Sequence, residues 1–492
     1  ECMAKKLKIV SVSSEIAPFS KSGGLGDVAR SLPKALKRLD NEVVCITPLY
    51  EKIIDKEKHD LQLIFKNVEV RIDSNSTVKV NYWKGYLMKD LPVYFVENKK
   101  YFSQRKKLYG SSRENSRFLV FDVAVLKLIS KLKLEANIIH CHDWQTGLIP
   151  YFLKNDFKRS KTLKKAKTVF TIHNLVFQLG RNWWEVPVEK KDYGRKSLPN
   201  LGDPDMEYIN FAKRGILYAD VINTVSEQYR EEIMTKKFGQ DLNRVLGNRS
   251  DKLFGIINGI DHTAYNPEND PGLYKNYNKD NWTRKKNNKI YLQEKFGLTV
   301  SESAPLICAT SRVTFQKGFE LILKILDHMM QMNIQFIILG AGDKNYIRQI
   351  KKKSKKYPKK MIIIPSHEQN QKYETQVYAG SDFFLLPSHH EPCGINQLIA
   401  MRYGCIPIVR KVGGLYDTVI NYNPTNKTGT GFGFSNFNEF ALFRAIVRAV
   451  ETYGHKDDIE KIVTRIMEQS NSWEIPAKKY MKLFRRALKM KN

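Results

Sequence analysis

The stretch Lys8-Ile9-Val10-Ser11-Val12-Ser13-Ser14-Glu15-Ile16-Ala17-Pro18-Phe19-Ser20-Lys21-Ser22-Gly23-Gly24-Leu25-Gly26-Asp27 decides the fold class. Its first five residues form a short apolar run of the length of one buried strand, and polar residues and then glycines follow. Beyond it Val28, Leu32, Ala35, Leu36 and Leu39 recur at helical spacing, with Asp27 as the expected cap. A strand, a glycine-rich turn and a helix N-terminus together offer backbone N–H groups and a positive dipole end to an anion. Glycine allows close approach, and Lys21 adds a point charge suited to a phosphate. The spacing is neither G-x-G-x-x-G nor a Walker loop, so nicotinamide and ATPase readings lose their main support. A tight strand–helix turn with an incidental lysine is the plain alternative.

Outward from this unit the same alternation repeats. Apolar runs at Val43–Thr47, Asn137–His140, Thr168–Ile172, Asp220–Val225 and Phe254–Asn258 are each bounded by polar or glycine punctuation. A polar stretch from Asp270 to Asn288 carries no apolar period and reads as a linker or insertion. The alternation then restarts with strands at Pro305–Ala309, Gln335–Leu339, Met361–Ile364, Phe383–Leu386 and Ile406–Val409, and a helix over Phe319–Met330. The pattern predicts an α/β protein of two doubly wound, Rossmann-like domains, residues 1–265 and 291–471, joined by 266–290. Two such halves are expected to face an interdomain cleft. A basic amphipathic helix at 472–492 is expected to pack back on the first domain.

Composition narrows the function classes. A chain of 492 residues is too long for one ordinary core. Its 42% hydrophobic content suits a globular enzyme and argues against disorder. No apolar run reaches the length of a membrane span, and the N-terminal run reads as a first strand, not a signal or transit sequence. The start at Glu1 leaves room for an upstream segment, so the cytoplasm is the expected setting, or a plastid if a transit peptide preceded the chain. The six cysteines, Cys2, Cys45, Cys141, Cys308, Cys393 and Cys405, make no C-x-x-C pair, which fits a reducing compartment and neither a zinc site nor a disulfide framework. The net charge of +31 would suit a nucleic acid, but the lysine runs lack interleaved aromatics. The excess is read as compositional, in a chain also rich in Asn and Ile, with no nucleic acid and no membrane among the expected partners.

Three further segments carry chemistry. Ser311-Arg312-Val313-Thr314-Phe315-Gln316-Lys317-Gly318 follows a strand and precedes a helix, and Arg312 and Lys317 both suit a diphosphate. Ser388-His389-His390-Glu391-Pro392-Cys393-Gly394 ends a buried strand in a carboxylate, which could hold sugar hydroxyls or serve as an ion-pairing or capping Glu. Gly413-Gly414-Leu415 is another glycine turn between strand and helix. His140 and His142 share one face of a strand, so the residues alone leave a metal pair open, although no third ligand is apparent.

With Lys21-Ser22-Gly23-Gly24-Leu25, His140-Cys141-His142-Asp143-Trp144-Gln145, Thr171-Ile172-His173-Asn174, Asn223-Thr224-Val225-Ser226, Ile257-Asn258-Gly259-Ile260-Asp261, Arg312 to Gly318, Glu391-Pro392-Cys393-Gly394 and Gly413-Gly414-Leu415 in order, the chain resembles the bacterial-type glycogen and starch synthases, retaining glycosyltransferases of the GT-B fold and family GT5. The resemblance implies transfer of glucose from ADP-glucose or UDP-glucose to an α-1,4-glucan, without cofactor or metal, by a monomer or small homo-oligomer. It implies that Lys21, Gly23 and Gly24 meet the diphosphate, that Arg312 and Lys317 grip it, and that Gly413, Gly414 and Leu415 cap it. It places Glu391, Cys393 and Gly394 on the glucose, with Asn258 nearby. His142 would contact the donor sugar, with its carbonyl near the anomeric carbon, while His173 and Asn174 order the floor of the site on the acceptor side. Glu114 and Asn115 would also serve the acceptor side, although this chain has Glu114 where the family often has Asp. Val412 and Ile399 replace an expected Thr and the second Glu of related enzymes. Trp144 and Cys393 read as packed neighbours of the site. Two other readings stay open: a GT-B enzyme with a lipid or small acceptor, and a non-catalytic glucan-binding scaffold.

Overall fold

The computed structural model describes residues 6–490. The chain divides into two compact units, Glu1–Asn258 with Trp473–Asn492, and Gly259–Ser472. Cys2 lies outside the described residues, and so does the end of the expected terminal helix.

The first unit is built on nine strands: β1 Lys8–Val12, β2 Glu42–Pro48, β3 Gln62–Arg71, β4 Thr77–Met88, β5 Leu91–Glu97, β6 Ile138–His142, β7 Lys167–Ile172, β8 Val221–Thr224 and β9 Leu253–Gly255. Their order across the sheet is β3-β4-β5-β2-β1-β6-β7-β8-β9. Among the described strands of this sheet β4 alone runs against the rest, pairing antiparallel with both β3 and β5. The central strands are covered on both faces, so they read as continuous apolar runs, whereas β3 is half exposed and carries no such run. Val10 pairs with Val44 on one side and Ile139 on the other. Each fully buried Val or Ile of this kind contributes about 1.5–3 kcal/mol.

The first helix runs Gly24–Arg38 and is preceded by Gly23 at its N-cap. It therefore begins earlier than the expected cap at Asp27, which lies in the first turn, where a carboxylate favours the dipole. The helix Glu474–Lys489 belongs to this unit. Its apolar stripe of Ala477, Tyr480, Met481, Phe484 and Ala487 packs against Leu32, Leu36, Ile138 and Val169. Tyr480 OH accepts a hydrogen bond from Asn223 Nδ2 at 3.1 Å, and Lys167 Nζ donates to the Met490 carbonyl at 2.8 Å.

The second unit holds β10 Leu306–Thr310, β11 Gln335–Leu339, β12 Met361–Ile364, β13 Phe383–Leu386, β14 Ile406–Arg410 and β15 Phe432–Phe434, a parallel sheet in the order β12-β11-β10-β13-β14-β15. The polar stretch expected as a linker is part of this unit. Tyr277 is 2% exposed and its hydroxyl donates to the Tyr403 carbonyl at 2.7 Å. Lys285 is buried, and its Nζ donates to the carbonyls of Tyr378, Ala379 and Tyr403 at 2.8–2.9 Å. Those carbonyls belong to the C-terminal ends of the helices His367–Gly380 and Asn396–Arg402. A lysine there satisfies orphan acceptors and favours both dipoles. The segment looks like a linker in sequence because its contacts are polar.

Candidate active site

In the first unit the chain winds away from β1 toward β2 and β5 on one side, and from β6 toward β7, β8 and β9 on the other. Such a reversal leaves a crevice at the carboxyl ends of the strands. The Lys21–Gly24 turn follows β1, His142 ends β6, and His173 lies one residue beyond β7.

The glycine turn is wrapped around a carboxylate of its own. Ser22 N and Oγ donate to Glu15 Oε2 at 2.8 and 2.6 Å, and Gly26 N donates to Oε1 at 3.0 Å. Burial raises the Glu15 pKa above the usual carboxylate value, against the lowering effect of these bonds. Tyr109 OH stands 2.7 Å from Ser14 Oγ and 3.4 Å from Glu15 Oε2. Three amides that the sequence offered to a phosphate, those of Ser22, Gly23 and Gly26, are thus already engaged by Glu15. Gly23 and Gly24 remain exposed, and Lys21 Nζ, paired with Asp27 at 2.7 Å, is half open to solvent. The turn is held rigid from below with its glycines and lysine on top.

His142, expected at the donor sugar, is buried at 0% exposure. Its Nε2 lies 3.3 Å from Ser11 Oγ and its Nδ1 lies 3.0 Å from His173 Nε2. His173 is the partly exposed member of the pair. Burial holds His173 at a pKa of about 3 and drives His142 well down, so both rings are neutral. In a hydrogen bond between two neutral imidazoles one ring donates. If His142 Nδ1 is the donor, His173 carries its proton on Nδ1; if the direction reverses, His173 Nδ1 is an acceptor. The Ser11 hydroxyl, able to donate or accept, completes either chain. His140 lies on the same face, with Nε2 2.6 Å from Thr171 Oγ1 and its ring near Tyr480 and Phe484. Among the described residues no group of three His, Cys, Asp or Glu is arranged to hold a metal ion.

Asp143, singled out only as a neighbour in the sequence, is central here. Its backbone sits at φ 59° and ψ 179°, a conformation that costs a non-glycine residue about 1–3 kcal/mol. The carboxylate accepts from His173 N at 2.7 Å and fixes the end of β7. Burial pushes its pKa up to about 7, opposed by the His173 and Asn174 amides. Asn174 turns the chain by accepting from Val176 N at 3.1 Å through its side chain.

Glu114 and Asn115, expected on the acceptor side, are both buried and bonded within the unit. Glu114 is 2% exposed, pairs with Arg117 and accepts from Ser111 N at 2.9 Å. Asn115 is fully buried, donates to the carbonyls of Met206 and Ile209 at 2.8 and 2.9 Å, and accepts from Gly180 N at 2.8 Å. It pins the long loop that follows Asn174. Trp144 is core, edge-on to Phe118 and Phe211. Asn258 is buried, with an Oδ1 that has no partner.

In the second unit the winding reverses between β10 and β13, and both cationic residues of the second glycine turn follow β10. Lys317 Nζ lies 2.5 Å from Glu391 Oε2, which also accepts from Ser388 Oγ at 3.0 Å. Arg312 is exposed beside them. Burial holds His390 at a pKa of about 4, with Lys317 and Arg312 adding to the effect. Gly318 has φ 79°, and a Cβ there would stand 2.1 Å from the Pro387 carbonyl oxygen. That close approach sets the β10 and β13 loops side by side. Gly414 N donates to the carbonyls of Glu391 and Pro392 at 3.0 and 3.1 Å. The Gly413-Gly414-Leu415 turn therefore braces the Glu391–Gly394 loop, with Cys393 at 5% exposure packed beneath it. Arg410, which sequence reasoning missed, donates to the His389 carbonyl at 2.6 Å.

Comparisons with known proteins agree with this arrangement. The family described as starch synthase catalytic domain matches residues 8–248, and that described as glycosyl transferases group 1 matches residues 292–465. The glycogen synthase of Alkaliphilus metalliredigens is 39% identical over 490 residues, covering 97% of this chain and 99% of its own. That of Thermotoga maritima is 37% identical over 503 residues, covering 98% and 99%. The structure described as the catalytic domain of starch synthase IV from Arabidopsis thaliana bound to ADP and acarbose superposes with a TM-score of 0.86 at 30% identity, covering 99% of this chain and 100% of that one. Sucrose-phosphate synthase from Thermosynechococcus elongatus shares the fold at a TM-score of 0.61 and 17% identity, over 98% of this chain and 99% of its own. With two parallel-sheet units, basic turns at both winding reversals and full-length relatives of one kind, the chain belongs to the glycogen and starch synthase family of GT-B glucosyltransferases.

Proposed function

We propose that the chain transfers glucose from a nucleoside diphosphate to the 4-hydroxyl at the non-reducing end of an α-1,4-glucan, with the anomeric configuration kept. The observation that carries this reading is the Lys317–Glu391 contact of 2.5 Å beside exposed Arg312, a charge-balanced pair at a strand-end crevice. As the bond to the diphosphate breaks, negative charge grows on the leaving group, and Arg312, Lys317 and Lys21 stabilise it. Glu391 and the Cys393-Gly394 backbone hold glucose hydroxyls. Of the two histidines, His173 takes the contact with the donor sugar, and His142 and Ser11 orient its ring.

No side chain is assigned as a nucleophile. Retention then follows from attack on the face that the diphosphate leaves, with a phosphate oxygen taking the proton of the acceptor hydroxyl, rather than from double displacement. In this reading the reaction needs no metal, and the cytoplasm is its setting. The description of the starch synthase IV structure as bound to ADP supports ADP-glucose over UDP-glucose. The test is incorporation of labelled glucose into glycogen from each donor. Transfer from ADP-glucose is expected, and transfer to a lipid extract but not to glucan would overturn the reading.

A further inference from the structure

Arg410 is the last residue of β14 and is 6% exposed, at the end of the sheet where the loops bearing Lys317 and Glu391 leave β10 and β13. Its guanidinium ties the β13 loop to the chain just beyond β15. Nη1 donates to the carbonyls of Ser388 and His389 at 3.3 and 2.6 Å, and Nε donates to the Ser435 carbonyl at 3.0 Å. A planar fork of five N–H groups can span such a spread of acceptors, which a single ammonium cannot. The guanidinium carbon also lies 5.4 Å over the Phe437 ring. That ring meets His389 edge to face at 4.9 Å, and His389 N donates to the Gln316 carbonyl at 2.8 Å. Bonds of this kind satisfy buried carbonyls wherever they occur. Ser388 adds something more. Its carbonyl accepts from Arg410, while its hydroxyl, on a fully buried residue, donates to Glu391 Oε2 at 3.0 Å. One residue therefore separates Arg410 from the carboxylate that pairs with Lys317.

We infer that Arg410 is a positioning residue for the donor sugar, setting Glu391 through Ser388 where the carboxylate meets the glucose hydroxyls. The inference rests on the role proposed above for Glu391. Lys317 and Ser388 both reach Glu391 Oε2, which leaves Oε1 to a sugar hydroxyl. A group that recognises a ligand works only when held to within about 0.5 Å by bonds to its own supports, so a shift of Ser388 is felt at the carboxylate. The cations expected at the diphosphate, Arg312 and Lys317, are donors only and take no bond from Arg410. Loss of Arg410 is therefore felt by the sugar half of the donor and not by the diphosphate.

The test measures dissociation constants for ADP and for ADP-glucose by titration calorimetry in wild type, Arg410→Ala, Arg410→Lys, Phe437→Leu and Glu391→Ala, with melting midpoints recorded beside them. The readout is the ratio of the two constants, which a general loss of stability does not move. In Arg410→Ala the ratio should turn against ADP-glucose by about tenfold, the scale of one lost hydrogen bond to a charged group. Arg410→Lys, which keeps the charge but not the fork, should lie between Arg410→Ala and wild type. Phe437→Leu should move the ratio in the same direction with its melting midpoint held, since Phe437 is only partly buried, and it carries the test if Arg410→Ala fails to fold. Glu391→Ala should show the full shift, and adding Arg410→Lys to it should change the ratio no further, because the two act as a unit. An unchanged ratio in the Arg410 and Phe437 variants, whatever their melting midpoints, would overturn the inference. So would an Arg410→Lys effect that adds in full to that of Glu391→Ala. If Glu391→Ala itself leaves the ratio unchanged, the role proposed for Glu391 fails and that of Arg410 with it. If the variants shift the ratio in this way but wild type transfers no glucose to glycogen, the transfer reading fails and the positioning role stands.

Discussion

Lys317→Ala separates what the Lys317–Glu391 pair does for the fold from what it does for the reaction. The lysine and glutamate side chains are 16% and 8% exposed and 2.5 Å apart. Removing the lysine leaves a nearly buried carboxylate with the Ser388 hydroxyl, and breaking such a pair from one side costs about 3–5 kcal/mol of stability. Turnover should fall independently, because one cation facing the leaving diphosphate is gone, and kcat/KM should drop about 10²–10³-fold. The second substitution distinguishes the two losses. In Lys317→Ala with Glu391→Gln no buried charge is stranded, so urea denaturation should recover most of the lost stability. Activity should not recover, since neither the cation nor the carboxylate that holds the sugar is restored. Denaturation midpoints and steady-state transfer to glycogen in the same four proteins close the cycle. Recovery of kcat/KM together with stability would refute the reasoning, as would near-normal turnover in Lys317→Ala.

Three other outcomes follow from the same geometry. Glu15→Gln turns an amide N–H toward the donors of Ser22 or Gly26, and at about 1.5–3 kcal/mol for a bond to a charged group the turn should loosen and the donor KM should rise. His140→Asn tests the neutral histidine strand: a pKa held at about 3 lies below the unfolded value, so the unfolded chain takes up a proton that the folded one refuses, and stability is lost as pH falls below about 6.5. The deficit of His140→Asn relative to wild type, from denaturation curves, should therefore shrink by about 2 kcal/mol between pH 7 and pH 5, at about 1.4 kcal/mol per pH unit. Gly414→Ala places a Cβ 1.8 Å from the Cys393 carbonyl oxygen, so the Glu391–Gly394 loop must shift, with a loss of about 1–3 kcal/mol in thermal unfolding and a marked loss of turnover.

Most of the parallel strands were legible in the sequence because burial on both faces makes them uninterrupted apolar runs, as in Lys8–Val12 and Gln335–Leu339, whereas β5 Leu91–Glu97 and the three-residue β15 Phe432–Phe434 were not read. The β3–β4 extension was not, because its exposed strands carry a mixed pattern. The choice between His142 and His173 depended on register. His142 pairs with Thr171, so His173 lies two residues farther on, just past the end of β7, which no spacing within one segment reveals. Glu15 was quoted in the opening stretch but could not be assigned, since its partners lie in the turn that it organises. Asn115 marked an important neighbourhood, yet it acts through the backbone of a loop more than sixty residues away in the chain. Its contact is a tertiary fact.

The most direct test of the central claim is transfer of labelled glucose from ADP-glucose to glycogen by wild type, Arg312→Ala and Lys317→Ala, with product configuration read by digestion with an α-1,4-specific glucosidase. The account predicts glucosidase-sensitive incorporation by wild type and at least a hundredfold loss, roughly, in each variant. Incorporation that resists the glucosidase, or variants that match wild type, would contradict it.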